Sequence, residues 1–180
     1  EKQVTAHTRE RDLIATYDTQ SNQANHAEIM WRYMTSTNET QSRVGVEVIA
    51  TLQTDELFQP ATLTSQTSFT SGNISIYSPK GTWLDSETNA PTANANAILC
   101  HFSNGTSYLE IPHPMDAHGF TLNCNGPSTR WEFLLLDQKL EKGVIHRARI
   151  QGWWCSDLLT QDAASELIAS LANSPLPLTT

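Results

Sequence analysis

Residues 8–34 read TRERDLIATYDTQSNQANHAEIMWRYM, and what this stretch becomes decides the fold class. Leu13, Tyr17, Ala24, Ala27, Trp31 and Met34 recur at steps of three and four, and Ile14 and Met30 widen the stripe. That spacing belongs to one face of a helix. Thr8 stands where an N-cap would, just ahead of Arg9, Glu10 and Arg11. The tract 19–25 is polar and breaks the stripe in its middle. The pattern predicts an N-terminal helical segment over residues 1–40, which would serve as a stalk from a removed membrane anchor.

Beyond it the period changes from between three and four to two. Val44, Val46 and Val48 alternate with Gly45 and Glu47, a strand signal. Residues 69–77 read as a further strand, Pro60 as a break before it, and Trp83 and Leu84 as the start of another. The Asn/Ala/Thr-rich stretch 87–96 reads as a loop. Residues 97–102 and 107–111 flank Asn104-Gly105, a hairpin turn. Phe120, Leu122 and Cys124 alternate again, as do Trp131, Phe133 and Leu135. The stretch 144–154 has two unlike faces, so one side of its sheet is packed and the other wetter. A helix over about 160–171 closes the chain, with Leu159, Ala163, Leu167 and Leu171 on one stripe. The expected fold is α+β: an N-terminal helix, an antiparallel β-sheet or small β-barrel, and a short C-terminal helix. Residues 41–175 form the β-rich globular domain.

Composition excludes some partners. The formal net charge is −8 and the pI about 5.1, with arginines and lysines scattered. Nucleic acid needs a basic stripe that displaces phosphate counterions, and none is present. Anionic membrane surfaces are excluded on the same ground. No apolar run reaches the length that spans a bilayer. Polar positions are filled by Ser, Thr, Asn and Gln more than by charges, a surface common outside the cytoplasm, in the periplasm or on the cell surface. The chain opens at Glu1, read here as a removed leader or a fragment boundary, so that contact with a membrane would come only through a removed anchor. A polar leading helix before a β-rich body resembles, in layout alone, membrane-anchored bacterial surface domains such as pilin-like subunits and periplasmic sensor domains.

The densest set of candidate metal ligands is His113, Asp116 and His118, in a loop with two prolines and a glycine. Imidazole and carboxylate suit a divalent ion such as zinc, though the spacing is not that of a helical zinc motif. A surface loop with solvated histidines is the plainer reading, and no metal or other cofactor is expected. Ser107 with His113 and Asp116, or Cys155 with His146, can be written as nucleophilic sets, but neither sits in a recognisable nucleophile motif. Phosphate-cradling glycine loops are missing from the sequence. Of the three cysteines, Cys100 and Cys124 lie at ends of expected strands and are the preferred disulfide; three reduced thiols remain the alternative. Trp153 and Trp154 should point to opposite sides of their strand, one toward the core and one toward a partner surface.

With no catalytic motif, the expectation is a non-enzymatic extracytoplasmic domain of a membrane-anchored surface or assembly protein, a pilin-like or adhesion subunit that meets protein partners or copies of itself. The alternatives are a periplasmic ligand-sensing domain, which needs an aromatic-lined pocket, and a protruding domain of a viral capsid protein.

Overall fold

The computed structural model describes residues 2–19, 25–38, 41–70, 72–85, 94–125 and 128–175. Among these described residues, twelve strands and one helix follow in the order β1 (Lys2–Arg9), β2 (Asp12–Thr19), β3 (Asn25–Asn38), β4 (Gln41–Thr54), β5 (Phe58–Thr70), β6 (Asn73–Tyr77), β7 (Trp83–Asp85), β8 (Ala97–His101), β9 (Ser107–Pro112), β10 (Gly119–Asn125), β11 (Ser128–Glu141), β12 (His146–Cys155) and α1 (Gln161–Ala172). The strands form two antiparallel sheets. The larger has nine strands in the order β1-β2-β3-β4-β12-β9-β8-β6-β7, and the smaller has three, β10-β11-β5.

The expected N-terminal helix is not there. Residues 8–34 run from the end of β1 through the hairpin strand β2 and into β3. Glu10, at φ 54°, makes the first turn. The apolar residues that scan at helical spacing also scan at period two, and the register shows which period wins. Leu13 lies opposite Trp31, Ala15 opposite Ile29, and Tyr17 opposite Ala27. Trp31 and Tyr33 then lie opposite Val48 and Val46. The other face is mixed: Ile14, Met30 and Ile49 lie in one cross-strand row, and Asp12, Arg32 and Glu47 in the next. Arg32 donates from Nε and Nη2 to the Asp12 carboxylate, at 2.9 and 3.0 Å, and Glu47 stands on its far side. The strand period thus splits the stripe expected of a helix, with Leu13, Tyr17, Ala27 and Trp31 on one face and Ile14, Met30 and Met34 on the other. Val44, Val46 and Val48 supply the template on which β3 pairs. Among the described residues before 41 there is no helix, and β3 pairs with β4 along its whole length. The α+β expectation is therefore corrected to a β protein with one short helix.

Pro60 lies inside β5 rather than at a break. β5 is an edge strand, paired only with β11, so a residue without an N–H is tolerated there. The interruption falls instead near Gly72, between β5 in one sheet and β6 in the other. The loop expected over 87–96 falls largely outside the described residues. The Asn104-Gly105 turn joins β8 to β9 as expected, with Gly105 at φ 83°.

The molecule has three layers. On one side of the large sheet, Ile74, Ile76, Ile98, Cys100, Ala148 and Ile150 pack against Phe120, Trp131, Phe133 and Leu135 of the small sheet. On the other side, Leu99, Leu109, Ile111, Trp153 and Cys155 pack against Leu159, Ala164, Ile168 and Leu171 around α1. Strands β8, β9 and β12 are covered on both faces. Thr160 caps α1, its Oγ1 accepting from the Ala163 N–H at 3.2 Å. The small sheet does not extend over the whole large one. Val4, Leu13, Tyr33, Val44 and Val46 all lie on the face of the large sheet that the small sheet covers elsewhere, and all five are exposed.

No disulfide links the cysteines. Cys100 is in β8 of the large sheet and Cys124 in β10 of the small one; Cys100 is buried in the inter-sheet core, whereas Cys124 is exposed. All three thiols are free. Burial pushes the Cys100 thiol up to about 11 and raises that of Cys155 as well.

Candidate functional site

Alternation along β9 sends Leu109 and Ile111 toward the helix and Tyr108 and Glu110 toward the small sheet. Glu110 is thus a carboxyl in an interior layer, 2% exposed. Its neighbours across the sheet leave room for it. Gly152 of β12 lies opposite Glu110, and Val46 of β4 lies opposite Gly152. A Cβ on Gly152 would come within 2.6 Å of the Tyr108 hydroxyl. From the small sheet, Ser65 and Thr67 of β5 reach down over the same spot. Together these residues, with Val48, Ile150 and Trp154, line a cleft of about 220 Å³.

The hydrogen bonds at its floor are one-sided. Tyr108 Oη donates to Glu110 Oε2 at 2.9 Å, and Thr67 Oγ1 donates to the same oxygen at 2.6 Å. Glu110 Oε1 and the indole Nε1 of Trp131 make no hydrogen bond of ordinary geometry, although the Trp131 N–H and the Ser65 hydroxyl both stand close enough to the carboxyl to help hold its charge. Burial outweighs that help and raises the Glu110 carboxyl above its ordinary range. The Tyr108 hydroxyl is also raised, by burial first and then by the adjacent carboxyl. A polar group left unpaired in such a place costs free energy, on the order of 1–3 kcal/mol each.

An aromatic wall leads from this floor to solvent. Phe69 is its hub, with ring centroids 5.1 Å from Phe102, 5.1 Å from Tyr108, 5.5 Å from Trp131 and 5.3 Å from Trp154. Trp154 lies 4.7 Å from Tyr108 and stacks on Phe102 at 5.8 Å. It is 44% exposed and forms the rim. Its neighbour Trp153 points the other way, into the core beneath α1, and is 7% exposed.

The sequence-derived candidates lie elsewhere. His113 and Asp116 line a separate hollow of about 510 Å³ near the end of α1, with Met115, Ile145, Arg147, Ala172 and Ser174. Their acceptor atoms are used by the backbone: His113 Nδ1 takes the Met115 N–H at 3.3 Å, and Asp116 Oδ2 takes the Arg149 N–H at 2.8 Å. Burial raises the Asp116 carboxyl and lowers His113, which the Arg149 charge lowers further. His118 does not line that hollow; its backbone N–H bonds Leu134 O at 2.9 Å, at the start of the small sheet. Among the described residues no three His, Cys, Asp or Glu side chains gather as a metal set. Ser107 is held at the far end of β9, where its Oγ donates to Asp157 O and accepts from the Leu159 N–H, so it is not assembled with His113 and Asp116. His146 and Cys155 are the two ends of β12 and do not meet.

Sequence reading missed Glu110, Tyr108 and Thr67. One signal was available: in Ser107-Tyr-Leu-Glu-Ile, a carboxylate shares a strand face with a tyrosine inside an otherwise apolar strand. Nothing in the sequence shows that both faces of that strand are buried.

No family model and no curated protein matches the chain. Among solved structures a similar chain is "Putative kojibiose phosphorylase from human microbiome", at a TM-score of 0.48 and 8% identity over 91% of this chain. This chain spans 21% of that protein's length, and at such similarity nothing about activity follows.

Proposed function

We propose that the chain is a non-enzymatic ligand-binding domain that works outside the cytoplasm and takes a small ligand in the cleft between the two sheets. The observation that carries this reading is Glu110: a buried carboxyl with one oxygen outside any hydrogen bond of ordinary geometry, at the foot of an aromatic wall that reaches solvent at Trp154. Concave sites with an apolar lining and a few convergent polar groups are where ligands bind, and a titratable group perturbed by burial inside one strengthens the assignment. The lining includes one carboxyl and neither a histidine nor a thiol. Hydrolysis of a glycosidic bond, for comparison, uses two carboxyl groups. Among the expectations from sequence, the ligand-sensing domain is the one that called for an aromatic-lined pocket. The pilin-like layout rested on a leading helix and has lost that support.

The test is a heteronuclear NMR screen of a diverse small-molecule library against the intact chain. A binder should shift the amides of residues 46–48, 65–67, 108–110 and 150–154 together. Gly152→Ala, which intrudes on the cleft, should abolish those shifts. A library without a hit, or hits that map only elsewhere and survive in Gly152→Ala, would sink the reading.

A second reading is favoured by the row Val4, Leu13, Tyr33, Val44 and Val46, which leaves an uncharged stretch of sheet face open. Contiguous exposed apolar surface is characteristic of protein contacts. On that reading the domain is an assembly or adhesion subunit whose sheet meets a protein partner or another copy. Sedimentation velocity across a wide concentration range tests self-assembly, with Leu13→Glu as the variant that should reverse any association.

A further inference from the structure

The small sheet covers only part of the large one, and β5 marks where it stops. This strand lies over β9 and β12, where Thr67 bonds Glu110 and Phe69 meets Tyr108 and Trp154. Its other edge is unpaired among the described residues, and past it β4, β3, β2 and β1 continue the large sheet. The face of these four strands on the side of the small sheet prolongs the inter-sheet core. Ala6, Ala15, Ile29 and Ala50 make one cross-strand row, and Leu13, Trp31 and Val48 the next. From the row of Val44 to the row of Leu52, no charged side chain of β1–β4 lies on this face. The charged pair Asp12–Arg32 is on the reverse.

What covers such a face must be as wide as it is. One strand added to β5 would extend the small sheet by only about 4.8 Å and leave most of the four-strand width open. A second copy has the same width by identity. A twofold axis parallel to the strands, midway between the layers, lays β1–β4 of one copy on β4–β1 of the other. Apolar face then meets apolar face, and no charge has to be matched. The same rotation brings β1 of each copy into the layer of the other's small sheet, beside the free edge of β5. At about 4.8 Å between strands and 3.4 Å per residue, four strands over the length from Val44 to Leu52 give a footprint of about 500 Å² per copy. The pair buries about 1,000 Å², the size at which specific interfaces begin.

Resting on the sheet-contact reading above, we propose that the occupant of this face is a second copy of the chain, in a closed twofold dimer in which β1–β4 of each copy complete the other's sandwich. The contact is isologous and uses up the open face, so association stops at two.

Sedimentation velocity of the intact chain over a wide concentration range tests this, together with amide hydrogen exchange. The expected result is a single monomer–dimer equilibrium. Leu13→Glu and Tyr33→Glu should each weaken it about a hundredfold or more, because each puts an unpaired charge into the buried contact. Both side chains are exposed in the single chain, so each variant should still melt cooperatively. If one does not fold, the other carries the test. Amides along β1 and β5 should exchange more slowly in the dimer than in the Tyr33→Glu monomer. A chain that is monomeric at every concentration overturns the second copy and leaves the face to a different protein. A dimer indifferent to both substitutions overturns the inference and the sheet-contact reading together, since association then runs through another surface. Species that keep growing with concentration overturn the closed twofold arrangement.

Discussion

Glu110 makes the residue-scale chemistry testable through pH. Its carboxyl is raised in the folded state, so the fold holds that proton more tightly than the unfolded chain does. The stabilisation is complete below the ordinary carboxyl pKa of 4.5 and is lost as pH climbs from there through the raised value. Glu110→Gln, which cannot ionise, should remove this part of the pH dependence and gain on the wild type as pH rises. Urea melts from pH 4 to pH 8 check it; parallel pH profiles for the two proteins would show that Glu110 is not the titrating group. Gly152 is the second residue with a specific demand. Any Cβ there meets the Tyr108 hydroxyl at 2.6 Å, so Gly152→Ala should cost about 1–3 kcal/mol by overpacking, read from the same melts. The thiols separate by burial: Cys124 should react with a disulfide reagent in the native state, whereas Cys100 and Cys155, buried and held protonated, should react only on unfolding. Three equally fast thiols would contradict the assignment of Cys100 and Cys155 to the cores.

At the scale of elements, α1 closes the helix-side core with a short apolar stripe, and Thr160 fixes where it starts. Thr160→Ala should cost about 1 kcal/mol, measured by thermal or urea denaturation, because the Ala163 N–H loses its acceptor. This helix was legible in the sequence because the stripe Leu159, Ala163, Leu167 and Leu171 is a local pattern. The β8–β9 hairpin was legible for a similar reason: Asn104-Gly105 specifies a turn whatever surrounds it. Residues 8–34 were not. Leu13, Tyr17, Trp31 and Met34 fit a helical stripe, while Leu13, Ala15 and Tyr17 fit a strand face equally well. Only the partner strand decides between them. The Asp12–Arg32 pair joins two strands across β2 and β3 and would not exist in a continuous helix.

For the whole molecule, the consequence is that β1–β3 are an integral part of a nine-stranded sheet. Deleting residues 1–40 would strip β4 of its neighbour and leave fourteen residues of unpaired strand edge. Such an edge invites pairing with other chains. The truncated protein should therefore aggregate or melt well below the full chain, as light scattering and thermal denaturation would show. A dispensable helical stalk would instead leave the melting temperature unchanged.

The sequence by itself determined the local punctuation: the turn at Asn104-Gly105, the C-terminal helix near 160–171, and the strand alternation around Val44–Val48 and Trp131–Leu135. These depend on a few neighbouring residues and on backbone preferences that act within them. Tertiary structure alone decided the period of residues 8–34, the division of the strands between two sheets, the separation of Cys100 from Cys124, and the burial of Glu110. Each is a matter of what lies across a strand or above a face. Thr67, Glu110 and Gly152 lie far apart along the chain and meet only because the small sheet packs over β9 and β12. Burial, which gives Glu110 its altered carboxyl, is a property of that packing and of no single segment.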